Sequence, residues 1–307
     1  MAVTRYVKVG IETGFGTGTS EMRGIRINRM PIHVDRGALK DPTIEDFVPT
    51  QIAGGPLKIT GSPEFSVRAD EIGEILIAVM GKVGTTGGGP YVHKFELGDP
   101  HSLAVEVGEN TTAWLLQGVG IDSMTLTFEA KEFVKCSIDY IARSIDETDF
   151  RPPSYGSHYP LVFHQVRVTR GDFRLSVHKA TLKISRSLKD DMFVLDDYKL
   201  DSLMQDGEGE LSGTLTCTER QLSEIRKAMF VDGSELPDDD ELYEFQLEID
   251  ARYGSGPNLR RLKVTAPVTL YTEASWELSG RDYIEREISY QVAGDLEIEL
   301  TNGVSGY

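Results

Sequence analysis

The scarcest reactive side chains are six histidines (His33, His93, His101, His158, His164, His178) and two cysteines (Cys136, Cys217), and their spacing decides what chemistry they could do. None of the histidines shows an HExxH pattern or other close ligand spacing, so no metal centre is expected. Neither cysteine lies in a reactive motif, and no Gly-x-Ser-x-Gly elbow offers a nucleophilic serine. Both cysteines fall in strand-like patterns and read as core. The stretch Gly14-Phe15-Gly16-Thr17-Gly18-Thr19 has the composition of a phosphate cradle. It lacks the Gly-Lys-Ser/Thr ending and the strand-to-helix context such a cradle needs, and reads as a hairpin turn or arm. Asp238-Asp239-Asp240-Glu241 lacks the spaced acids and glycine of a calcium loop and reads as a solvated turn before a strand at 241–250. Acids are too numerous for a glycoside-type pair to be singled out. The expectation is no enzyme and no cofactor.

Composition narrows the partners. The 307 residues carry 32 Lys and Arg against 49 Asp and Glu, a net charge of −17, with no concentrated basic patch to hold a phosphate backbone. Two cysteines cannot build a disulfide framework. No apolar run approaches the ~20 residues of a membrane helix, and Met1 to Gly10 lacks the apolar core of a secretory leader, so a cytoplasm-like compartment and no membrane partner are expected. The sequon at Asn110-Thr111-Thr112 is then chemically idle.

The elements that position these residues repeat. At an offset of 150, Ile72, Glu74, Ile75 and Ala78 meet Leu222, Glu224, Ile225 and Ala228; Phe95 and Leu97 meet Phe245 and Leu247. Leu126 and Phe128 meet Trp276 and Leu278, and Val134, Ile138 and Tyr140 meet Ile284, Ile288 and Tyr290. Upstream, Thr60-Gly61 aligns with Ser212-Gly213 at offset 152, and Ile25 to Arg29 with Leu182 to Arg186 at offset 157. Ordered matches of this kind indicate a duplication, residues 1–150 and 151–307, joined by the Pro-rich stretch 151–156.

Most segments alternate with period two, as half-buried antiparallel strands do. One segment per half has helical spacing. The first follows a capping Asp70 and ends at Gly81; the second opens with Thr218-x-x-Gln221 and closes near Gly233. The fold class is therefore mainly β: two tandem antiparallel sandwich or barrel domains, each with one flanking helix and a long loop. Those loops, 30–56 and 187–209, hold apolar side chains among acids, including Ile32, Val34, Ile44, Phe47, Met192, Phe193, Leu195 and Tyr198. They read as arms that pack on another subunit. Glu285, Glu287, Glu297 and Glu299 project with period two and are candidates for a channel lining.

Together these features resemble the tail tube proteins of long, non-contractile-tailed viruses of bacteria or archaea. The resemblance rests on Gly10 to Thr17, on Gly61 to Val67 leading into the Ile72 to Met80 helix, and on Tyr91 to Leu97. It continues through Ser123 to Phe128, Val134 to Ile141, Gly213 and Gly280-Arg281-Asp282. It implies a structural protein of the virion tail, assembled in the host cytoplasm, whose rings stack into a conduit for genome ejection. Because the tube domain is duplicated, trimeric rings with pseudo-sixfold symmetry are favoured over hexamers. The resemblance also implies a tape-measure protein, a tail terminator and a distal tail protein as partners, with DNA passing through without stable binding. The competing reading is a tandem β-sandwich binding module, an adhesin or carbohydrate binder, with Tyr91, Tyr253 and Tyr271 as its platform.

Overall fold

The computed structural model describes residues 5–19, 21–41, 51–156, 158–217, 222–230, 243–276 and 286–307. In the first half these form β1 (Arg5–Ile11), β2 (Arg23–Ile25), β3 (His33–Asp41), β4 (Gln51–Gly61), β5 (Glu64–Ser66), α1 (Gly73–Met80), β6 (Gly81–Thr86), β7 (Tyr91–Leu97), β8 (Leu103–Glu109), β9 (Thr112–Glu129), β10 (Lys135–Ala142) and β11 (Ser144–Thr148). The second half adds β12 (Val166–Arg170), β13 (Phe173–Arg174), β14 (Val177–Ser185), β15 (Glu210–Cys217), α2 (Leu222–Phe230), β16 (Glu244–Tyr253), β17 (Arg260–Trp276), β18 (Arg286–Ala293) and β19 (Glu297–Asn302). The protein is mainly β, and every strand pair is antiparallel. The hydrogen-bonded network is continuous and, among the described residues, does not close into a barrel.

One pairing order occurs twice. In the first half, β3 pairs β4, β4 pairs β10, and β10 pairs the C-terminal part of β9. In the second, β14 pairs β15, β15 pairs β18, and β18 pairs the C-terminal part of β17. The N-terminal parts of β9 and β17 turn into a different set of neighbours, β8 and β11 for β9, β16 and β19 for β17. Gly118, in the left-handed region at φ 62°, lies where β9 slips register against β8, which a residue with a Cβ resists.

Even the irregularities match. The β9–β10 ladder slips between Asp139 and Tyr140, so that Ile121 and Ser123 follow each other across the bulge; in β17–β18 the same slip separates Tyr271 from Glu273. Tyr140 donates its hydroxyl to the Pro31 carbonyl at 3.2 Å, and Tyr290 donates to the Thr181 carbonyl at 2.6 Å. Each tyrosine lies over a glycine, Gly61 or Gly213, where an added Cβ falls 2.6 Å or closer to the ring or its hydroxyl.

The two sets of strands meet along one seam, where β14 pairs with the C-terminal part of β9 from Lys179↔Glu129 to Ser185↔Ser123. Along it Leu182 and Ile184 continue the buried row of Leu126 and Met124. A second joint pairs β19 with β7. Helix α1 is buried along its whole length and stops at Gly81, whose φ of 90° no β-branched residue adopts comfortably.

Several sequence expectations change. Asp70 does not cap α1, whose N-cap is Ile72; its carboxylate instead accepts from Arg260 Nε at 2.7 Å and the Gly303 amide at 3.0 Å. The capping pair Thr218 and Gln221, Gly233 and the acidic run 238–241 lie outside the described residues. Pairing of β3 with β4 puts Pro31 and Ile32 where Thr181 and Leu182 stand, so the offset there is 150 and the 157 alignment is a coincidence of apolar pattern. Phe245 and Leu247 sit on β16, which pairs β17 as β8 pairs β9, whereas Phe95 and Leu97 sit on β7 between β6 and β19. Alternating Phe and Leu fit either strand, and only the ladder decides.

Candidate functional site

The reactive side chains are dispersed, and the buried ones are shielded or hydrogen-bonded. Cys136 is fully buried, and burial pushes its thiol far up; Cys217 is pushed up to about 12, by burial first and then by Glu224. Buried His93 accepts from Thr85 Oγ1 at its Nδ1 (2.9 Å) and donates from Nε2 to the Val304 carbonyl at 3.0 Å. Burial holds its pKa down, which suits a neutral ring that joins β7 to the C-terminal segment. Among the described residues no group of His, Cys, Asp or Glu could hold a metal ion.

The glycine-rich stretch does make a cradle for an anion, and the chain supplies the anion itself. Buried Glu12 accepts from the Gly16 amide at 2.9 Å, the Gly18 amide at 3.0 Å and the Gly118 amide at 3.1 Å. Charge-assisted bonds of this kind fix the 13–19 turn against the bend in β9. The amides that would face a phosphate are already taken by this carboxylate.

What the sheet leaves open is two strand edges. Among the described residues β3 pairs only with β4, and the C-terminal part of β17 pairs only with β18. The corresponding edges inside the chain, β14 and the end of β9, cover each other. Residues 36–41 and 51–56, expected as part of an irregular arm, are a protruding ribbon in which Leu39 and Ile52 are exposed. Ile32 packs partly on the core, Val34 lies exposed on β3, and Ile44 and Phe47 lie outside the described residues.

The second loop folds back on its own chain. Leu57 donates its amide to the Tyr198 carbonyl at 2.8 Å, Lys58 pairs with Asp190 at 3.0 Å, and Arg143 with Asp197 at 3.4 Å. Leu200 is buried, and Leu203 fills the space above Gly120. Met192 and Phe193 are half-buried, while the tip stays out: Leu195 is 98% exposed, flanked by exposed Val194 and Tyr198.

The four glutamates do not form one row. Glu285 lies outside the described residues, and Glu287 is exposed on β18. Glu297 and Glu299 are on β19, already paired with Lys94 at 2.9 Å and Arg261 at 3.2 Å. The outward face around the seam is instead rich in hydroxyls: Thr125 and Thr127 on β9, Thr181 on β14, Thr214 on β15 and Ser289 on β18 stand in successive cross-strand pairs. Of the platform tyrosines, Tyr271 is buried beneath Phe245, and Tyr91 and Tyr253 are half-covered, so these three do not make an exposed platform.

A family model described as phage tail tube protein matches residues 3–292. The chain belongs to the phage tail tube protein family. Its place is the virion tail, and its role there is structural. The family implies self-assembly into a tube, so for a tail tube protein the open strand edges and the exposed loop tip are the features to explain. No curated protein matches the chain, and among the described residues no helix is long and apolar enough to cross a membrane. Sequence reasoning missed the edges themselves and two arginines, Arg36 and Arg186, although both arginines stand at the 150 offset.

Proposed function

We propose that the chain is a duplicated tube unit whose copies join edge to edge into rings, and that the rings stack into the conduit for genome ejection. One observation carries the reading: the seam between β9 and β14 is a worked example, within one chain, of the junction the open edges need. Transferring its register by 150 residues sets Val34 opposite Ala274 and Asp35 opposite Glu273 of the next copy. Val34 is 43% exposed, while its counterpart Ile184 at the seam is 1% exposed, so joining buries an apolar side chain that the lone chain leaves wet. Pairing also satisfies backbone groups that invite aggregation when left open.

Each copy brings two four-stranded units, so three copies complete a pseudo-sixfold ring. The hydroxyl-rich face lines the lumen; of the cations on it, Lys179 is paired with Glu129 at 3.4 Å, while Lys183, opposite Thr125, is exposed and makes no ion pair with a described residue. The exposed tip around Leu195 reaches the adjacent ring. Tape-measure, terminator and distal tail proteins are the partners at the tube ends, assembly takes place in the host cytoplasm, and the protein performs no catalysis. Electron microscopy of the purified protein tests this: rings or tubes with a central hole and threefold symmetry are expected, and a monomer at every concentration contradicts it.

A further inference from the structure

Buried Arg186, just beyond the end of β14, reaches across the seam to the C-terminus of α1. Its Nε donates to the Val79 carbonyl at 2.6 Å, and Nη2 donates to the carbonyls of Met80 (3.1 Å) and Gly98 (2.7 Å). A cation there satisfies carbonyls that have no partner inside the helix and complements the negative end of its dipole. The pairing of β3 with β4 puts Arg36 at the place on β3 that Arg186 holds beyond β14. Arg36 is exposed and makes no hydrogen bond or ion pair with a described residue. Helix α2 ends at Met229 and Phe230, the counterparts of Val79 and Met80; no described residue outside the helix donates to those two carbonyls, and residues 231–242, which follow it, lie outside the described residues.

We infer that Arg36 of one copy binds the C-terminal carbonyls of α2 in the neighbouring copy, repeating between chains the contact Arg186 makes within one. The inference rests on the edge-to-edge reading and adds a specific polar lock to it. A second copy is the occupant because the β3 edge that carries Arg36 corresponds to the β14 edge, and the edge that β14 pairs with at the seam, the end of β9, corresponds to the open end of β17. Helix α2 is half-covered in the single chain while α1 is buried, so its last turn is open to a neighbour.

The test separates the lock from the edge. Chains carrying Val34→Cys and Ala274→Cys are linked by oxidation, with and without Arg36→Leu, and amide exchange is followed in residues 225–230. In linked chains with Arg36, exchange in the last turn of α2 is expected to slow at least tenfold relative to the reduced monomer; with Arg36→Leu it stays within twofold of the monomer. Without the disulfide, Arg36→Leu should raise the concentration for assembly at least tenfold, Arg36→Lys less, with the monomer's circular dichroism unchanged. Equal protection of α2 in both linked proteins overturns the lock and leaves the edge pairing standing. Absence of any interchain disulfide overturns both.

Discussion

At the scale of single residues, the most informative group is Glu74 on α1. Burial lifts its carboxyl to about 7 from an ordinary 4.5, outweighing the opposing pull of Arg23 at 3.2 Å. A carboxyl that holds its proton more tightly when folded gives full stability below the unfolded value. Stability then declines as pH rises from 4.5 to 7 and is level above that. Glu74→Gln should flatten this slope, gaining about 1–3 kcal/mol at pH 8 relative to its effect at pH 4; urea melts of both proteins across that range check it, and parallel profiles contradict it. Tyr290→Phe should cost about 1–3 kcal/mol by leaving the Thr181 carbonyl without its donor. A matching loss for Tyr140→Phe at Pro31, measured in the same melts, would follow from the repeated geometry.

At the scale of elements, the arm between β14 and β15 has two parts with opposite expectations. Leu200 is buried against the first half, so Leu200→Ala should cost about 2–5 kcal/mol in chemical denaturation. Leu195 is almost fully exposed, so Leu195→Ser should stay within about 0.5 kcal/mol of wild type. In electron micrographs that same variant should give single rings in place of tubes; unchanged tubes would remove the tip from the stacking interface. Much of this level was legible in the sequence. Strands β9 and β10 showed themselves through period-two alternation because one face is buried and the other polar, and β17 and β18 through their match to these at the 150 offset. The distinction between β7 and β16 was not legible, since Phe95-x-Leu97 and Phe245-x-Leu247 have the same pattern and differ only in which strand they pair. Nor was the occupant of the glycine-rich turn: Glu12 precedes it in sequence, but the third amide comes from Gly118, far along the chain.

At the scale of the whole molecule, the seam is the feature that sequence could not supply. Register between β9 and β14 depends on contacts between the two halves, and alternation reports only which face of a strand is apolar. Once the seam is seen, the offset of 150 becomes a geometric tool: it relates Ile184 to Val34, Met124 to Ala274 and Arg186 to Arg36. The acidity also takes a different place. Glu297 and Glu299 are tied to cations on neighbouring strands, and the face around the seam is largely hydroxyl, so −17 describes the molecule as a whole more than its proposed lumen.

Mixing two singly substituted proteins tests the edge-to-edge claim most directly. Val34→Cys chains combined with Ala274→Cys chains under mild oxidation should yield a disulfide between unlike chains, while Leu39→Cys chains combined with Ala274→Cys chains should not. Failure of the Val34 and Ala274 pair to link in assembled rings, or equal linking by Leu39, would contradict the edge-to-edge register.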